Sequence, residues 1–295
     1  MSVMTPSRRT ALHLLAATSV MAGVSASGAT ATVPPPKTPA AGGLTFTYTV
    51  TSSATDKRRK ESLDINAIVR LQGGNARMDY TGGKGPMGQK GGYILITSSP
   101  PQFAIVNDKE KSVLVMEASQ FGSGLGAMMN NPMMKMTISN AKFSYKDMGA
   151  GENILGYRTR RVRTYNSSDL EMKIMGMTQR SSSSDSSDQW IAQGIEVDEQ
   201  SLAAWGRSFS SGMKVTNPEL AAEFAKFEKE YARGGMALRS TTWSTNTDGK
   251  GKATTDVINM EVTDLKKGDL DPAIFRIPDG YRVTNLSEAL KKPGQ

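Results

Sequence analysis

From Leu44 the chain alternates. Leu44, Phe46, Tyr48 and Val50 fall on one side of an extended segment, and Thr45, Thr47, Thr49 and Thr51 fall on the other. A period of two with one apolar face predicts a half-buried antiparallel strand. The same period returns at Ile65, Ala67, Val69 and Leu71, then at Ala76, Met78 and Tyr80 after the turn Gly73-Gly74. Further strands are expected at Tyr93–Thr97, Phe103–Val106, Val113–Glu117, Thr137–Asp147, Arg158–Tyr165, Leu170–Thr178, Gln189–Gln193, Leu238–Asn246, Thr254–Thr263 and Tyr281–Thr284. Gly, Asn, Asp and Ser clusters separate them. Among these, Ser181–Asp188 (SSSSDSSD) has nothing to bury and is expected to be a flexible loop. About a dozen strands punctuated in this way predict a mainly β fold, a barrel or strongly curved antiparallel sheet.

A helical period occurs late. Leu220, Phe224, Phe227 and Tyr231 recur every three or four residues after Asn217-Pro218 and before Gly234-Gly235, and Leu202, Trp205 and Phe209 repeat the spacing over Ser201–Ser210. Pro suits the first helical position and Asn the cap before it. One or two helices are therefore expected to cover the concave side of the sheet.

The N-terminus has another character. Arg8 and Arg9 precede the mostly apolar run Ala11–Val24, and Ala29-Thr30-Ala31 offers small residues for cleavage. Residues 1–31 read as a secretory signal peptide, too short in its apolar part to remain as a membrane span. Ser7-Arg8-Arg9-Thr10-Ala11-Leu12 matches the twin-arginine export pattern in part, with Ala11 where a bulky aromatic is usual. Thr32–Gly43 (TVPPPKTPAAGG) reads as a linker, residues 44–284 as one β-rich domain and residues 285–295 as a tail. The expected location is periplasmic or extracellular.

Export changes what the composition implies. The chain has no Cys, and its single His is His13, inside the signal segment. The exported protein then has neither a histidine base, nor a thiolate, nor a lipoprotein's acylated cysteine, and it cannot hold zinc through His or Cys. With no nucleophile elbow, phosphate loop or zinc-protease helix either, the sequence reads as non-enzymatic, with no cofactor and no catalytic residue. Lys and Arg number 36, of which two are Arg8 and Arg9, against 28 Asp and Glu. This excess permits a transient encounter with an anionic membrane surface. The aromatics are not interleaved with the basic residues as nucleic-acid stacking requires.

Two groups invite a binding role. Met128, Met129, Met133, Met134 and Met136 follow the glycine-rich Gly122–Gly126. Flexible thioether side chains suit an apolar lid, to which Trp205 and Phe209 of the first expected helix would contribute. Thioethers also ligate copper(I), which keeps a metal-binding alternative open. In Arg158–Arg163 (RTRRVR), Arg161 and Arg163 share one strand face with Tyr165, where an anionic headgroup could dock; a solvated strand with ion pairs is the other reading.

The punctuation also carries a resemblance. Asn75–Tyr80 (NARMDY), Ile105–Met116 (IVNDKEKSVLVM), Ile154-Leu155-Gly156-Tyr157 and Phe275–Tyr281 (FRIPDGY) occur in that order. Together they resemble exported bacterial domains of unknown function related to the lipoprotein carriers LolA and LolB. The resemblance spans about residues 44–283. It implies a half-open, highly curved antiparallel sheet, helices plugging its concave side and a cavity for acyl chains. The function it implies is a binding or carrier module for a lipid or other apolar ligand. The alternatives are a structural or stress-related envelope protein that uses the same fold, and a copper(I)-binding protein.

Overall fold

The computed structural model describes residues 42–54, 64–84, 91–117, 130–131, 134–174, 177–195 and 236–285, with position 222. The described residues form one sheet. Its strands are β1 (Leu44–Ala54), β2 (Asp64–Gln72), β3 (Asn75–Lys84), β4 (Gly92–Ser98), β5 (Pro101–Asn107), β6 (Ser112–Glu117) and β7 (Asn130–Asn131). They continue with β8 (Met134–Ala150), β9 (Thr159–Ile174), β10 (Met177–Ala192), β11 (Ala237–Asp248), β12 (Ala253–Lys267) and β13 (Arg282–Asn285). A 3₁₀ turn, Pro272–Phe275, precedes the last strand, and Asp271 caps it through the Ala273 N–H.

The strand order is β13-β6-β5-β4-β3-β2-β1-β12-β11-β10-β9-β8-β7. Every neighbour is antiparallel except β13, which runs parallel to β6. Two meanders thus meet where β1 pairs with β12, so the first strand and the last strand of the second meander are joined at the middle of the sheet. The edges β13 and β7 do not pair with each other, and the sheet is open. A flat sheet of this size would be about 58 Å wide at ~4.8 Å per strand step. Sheets this wide curl, and register shifts at Thr47/Tyr48, Asn66/Ala67, Ser139/Lys142, Asp147/Ala150 and Trp190/Ile191 add local twist.

Register assigns the faces. On the inner face Leu44 lies beside Leu71, Phe46 beside Val69, Tyr48 beside Ala67 and Val50 beside Ile65, as the alternation predicts. Leu44, Phe46 and Val69 join Val262, Leu238, Ala192, Ile195 and Ile154 in a core that runs across β2, β1, β12, β11 and β10. Ile65, Ala67, Tyr80 and Ile94 continue it toward β4. A third core lies on the opposite, outer face: Tyr93, Leu95, Ala104, Val106, Val113 and Val115, covered by Ile277 and Tyr281. Strands β4 to β6 are therefore apolar on both faces, which is why their sequences read as nearly continuous hydrophobic runs.

The motifs that carry the family resemblance hold this frame. In Asn75–Tyr80, Asn75 Oδ1 accepts from the Ser98 N–H at 3.1 Å, and Arg77 bonds Asp79 at 2.7 Å and the Ile274 carbonyl at 3.1 Å. The Arg77 guanidinium also lies 3.8 Å from the Tyr93 ring centroid. Asn107 Oδ1 accepts from the Glu110 N–H and so forms the β5–β6 turn. Ile154 and Tyr157 pair around Leu155 and Gly156, both with positive φ; glycine takes that conformation without strain. In Phe275–Tyr281, Phe275 is buried and the Tyr281 hydroxyl donates to Asp108 at 2.9 Å, latching the segment over the outer core.

Three sequence expectations need correction. Ser181–Asp188 is the middle of β10, paired on one side with β9 and on the other with β11. Serine's weak strand preference is overridden because both neighbours complete its backbone ladder, and Ser183 and Ser187 bond across strands to Ser168 at 3.1 Å and Thr242 at 2.9 Å. Arg158–Tyr165 and Leu170–Thr178, expected as two strands, are largely one, because Asn166–Asp169 stays in register with β10. The strand expected from Thr137 begins at Met134, where the pair Asn130–Asn131 forms β7 against it. The expected signal peptide, most of the linker and the helices at Ser201–Ser210 and, apart from position 222, Pro218–Tyr231 lie outside the described residues. Gly43, assigned to the linker, already accepts the Gly268 N–H at 2.9 Å.

Candidate functional site

The inner face divides by chemistry. From β1 to β6 it is apolar: Tyr48, Val50, Met78, Ile96 and Phe103 pack, partly buried, around the Ile65–Tyr80 core. The stripe runs on to Ile105, which is 38% exposed. Tyr48 donates to the Met78 sulfur at 3.2 Å. Burial pushes the Tyr48 phenol well above its ordinary pKa and that of Tyr80 up to about 12, so both stay neutral hydrogen-bonding groups.

Across β9 to β11 the same face is polar. Thr164, Asn166 and Ser168 stand beside Ser187, Asp185 and Ser183, and these beside Thr242, Ser244 and Asn246. Asp185 is the unusual member. Burial raises its pKa, against hydrogen bonds from Ser244 and Asn166 that lower it. The Asn166 amide nitrogen reaches Asp185 Oδ2 at 3.1 Å, while Asp185 Oδ1 is buried without a partner among the described residues. An apolar wall and a polar wall give this face the chemistry of an amphipathic surface.

Arg161 and Arg163 lie on the outer face, and the structure brings them together around one carboxylate. Arg161 bonds Asp188 at 2.5 Å, and Arg163 bonds it through both Nε and Nη2. The Asp188 side chain is only 3% exposed, and hydrogen bonds from Arg163 and then Arg161 hold its carboxyl below the usual carboxylate range. Arg161 also lies 5.3 Å from the Trp190 ring centroid, as does Arg239 at 5.8 Å. Arg239 in turn pairs with Glu152 at 2.5 Å and Glu261 at 2.8 Å. Each arginine has a carboxylate partner, so the strand carries a cross-sheet ionic network. The RTRRVR run showed the arginines; the partner Asp188 was hidden in a segment expected to be a loop.

Of the expected lid, Met128, Met129, Met133, Trp205 and Phe209 lie outside the described residues. Met134 is described only as the first backbone position of β8, opposite Ile174. Among the described residues no three of His, Cys, Asp and Glu are grouped to hold a metal ion. None of the described helices is long and apolar enough to cross a membrane. A crevice of about 200 Å³ lies on the outer face between β4–β5 and the Phe275–Ile277 segment, lined by Leu95, Thr97, Gln102 and Arg276 among others. It is smaller than ordinary small-molecule pockets of ~300–1,000 Å³.

These features define a class: an open, curved antiparallel sheet, apolar along much of its inner face and held by ion pairs outside. The chain belongs to the DUF4412 family, a domain of unknown function whose pattern matches residues 57–281. That span takes in all four motifs. No curated protein matches the sequence significantly. Among solved structures, it is similar to a domain described as an outer membrane lipoprotein-sorting protein from Vibrio parahaemolyticus, at 9% identity and a TM-score of 0.27, covering 85% of this chain and 92% of that one.

Proposed function

We propose that this is an exported, non-enzymatic binding or carrier module that takes a lipid acyl chain or a similar apolar ligand against its inner sheet face. The observation that carries the reading is the apolar stripe from Tyr48 and Val50 through Ile96 and Phe103 to the exposed Ile105. The motif resemblance to carriers of the LolA and LolB type supports it. Burying one CH₂ is worth about 0.8 kcal/mol, so a sixteen-carbon chain would gain roughly 12 kcal/mol gross. Ordering the chain and moving whatever covers the site reduce that sum, as a carrier that must release its cargo requires. In this reading Met128, Met129, Met133 and Met134, with Trp205 and Phe209, close over the ligand, and the basic excess favours brief contact with an anionic membrane.

Titration with a fluorescent fatty acid tests it. Phe103→Ser and Ile105→Asp should each weaken binding by at least about tenfold, one removing roughly 1.4 kcal/mol of apolar contact and the other placing a charge in the stripe. Lys146→Ala, on the outer face, should leave binding unchanged. Equal affinity in all four proteins, with far-UV spectra preserved, would remove the inner face from consideration.

A further inference from the structure

The outer face of β9 to β11 carries a second feature that neither the ionic network nor the apolar stripe explains. Tyr165 on β9, Ser186 on β10 and Trp243 on β11 stand in one row across three adjacent strands. Tyr165 is 43% exposed and Trp243 38%. Exposing a tryptophan and a tyrosine in mid-strand leaves costly apolar surface in water. Serine between them sets the two rings' strands two spacings apart, about 10 Å. Along β10 the same face continues through Ser184 and Ser182, both exposed, for a run from Ser182 to Asp188 of about 20 Å. The result is a row with serine hydroxyls along its middle, an aromatic residue on each side, the Arg163–Asp188 pair at one end and Asp169 beside Ser182 at the other.

We propose that this row binds a linear β-linked glycan lying along β10. The chemistry selects it. A peptide added as a strand needs an unpaired sheet edge, whereas β10 is paired on both sides. Between the two aromatics the outward polar groups are the hydroxyls of Ser184 and Ser186, which both donate and accept and so match sugar hydroxyls, while Ser182 beyond them bonds the Asp169 carboxylate. Among the described residues, no side-chain hydrogen bond occupies those of Ser184 and Ser186. The C–H faces of sugar rings pack against aromatic rings, which accounts for Tyr165 and Trp243. Arg163 hydrogen-bonds both Asp188 and Tyr165 and so holds one side in place. An anionic membrane would instead require free cations at the centre of the patch, whereas the arginines at its end are paired with Asp188 and the exposed Lys142 and Lys146 lie on β8, one strand beyond Tyr165.

Co-sedimentation of the full chain with peptidoglycan sacculi, chitin and microcrystalline cellulose tests the proposal, followed by titration with the soluble tetrasaccharide of the glycan retained. Retention on at least one glycan is expected. Trp243→Ala and Tyr165→Ala should each weaken binding roughly tenfold, the scale of one lost aromatic contact. Ser184→Trp, which keeps both aromatics but blocks the space between them, should abolish it. Melting temperature and far-UV spectra check that each variant folds, and Lys266→Ala serves as a distant surface control. Retention on none of the three glycans, or equal retention of wild type and all three of these variants, would overturn the proposal. Binding to anionic lipid vesicles but to no glycan, lost on Trp243→Ala, would overturn it in favour of a membrane surface.

Discussion

Replacing Asp188 with Asn should destabilise the protein by more than any other single charge change on the outer face. The carboxylate is 3% exposed and accepts three charge-assisted bonds from two arginines on the neighbouring strand. Removing one partner of a fully buried pair costs about 3–5 kcal/mol, whereas pairs in open solvent contribute about 0–1 kcal/mol. Here the acceptor is buried, but Arg161 and Arg163 are 37% and 29% exposed, so water can resolvate them in part. A cost of about 2–3 kcal/mol follows. In a domain of this size 1 kcal/mol moves Tm by about 2–4 °C, which gives a drop of roughly 4–12 °C. Thermal melts followed by far-UV circular dichroism at pH 7.5 measure it. The pH dependence is a second check. The folded carboxyl is held below its ordinary range, so its contribution is present above the unfolded pKa of about 3.9 and disappears as pH falls through the lower folded value. Wild type and Asp188→Asn should therefore converge in strong acid. A Tm loss below 2 °C at neutral pH, or a gap undiminished in acid, would refute this account of the network.

Asp185 should behave in the opposite sense. Burial raises its pKa, so the stability it contributes is fully present below the unfolded value near 3.9 and is lost as pH rises through the folded one; Asp185→Asn should raise Tm at pH 7.5 and change it little at pH 3.5. Leu238→Ala should cost about 2–5 kcal/mol in chemical denaturation, since Leu238 is fully buried where β1, β11 and β12 share a core. Limited proteolysis should spare Ser181–Asp188, because paired backbone must open before a protease can bind it; an early cut there would restore the loop reading of that segment.

Much of the sheet was legible from Leu44 onward because an apolar face with a period of two leaves a one-dimensional signature. Pairing was less legible. The β1–β12 contact joins residues 44–54 to residues 256–267, and no local signal announces a partner so far along the chain. The serine-rich strand was misread for a related reason: its stability comes from the ladders on both sides, and its own side chains carry neither apolar face nor turn. The same misreading hid Asp188, and with it the reason Arg161 and Arg163 stand together. The four motifs located the family correctly, and their residues then proved to hold turns, the Arg77 junction and the Phe275–Tyr281 latch. The apolar inner stripe was implicit in the alternation of β1 to β3, but its continuation to Ile105 depended on the register of β4 and β5.

An apolar ligand lying on the inner face, as proposed, is detectable by isoleucine-methyl NMR. Ile65, Ile94, Ile96 and Ile105 belong to the inner stripe, whereas Ile277 packs against the outer core. Titration with palmitate should shift and broaden the inner methyl signals in a saturable manner and leave that of Ile277 in place. Unmoved inner signals at saturating palmitate, or a response confined to Ile277, would mean that the inner face holds no such ligand.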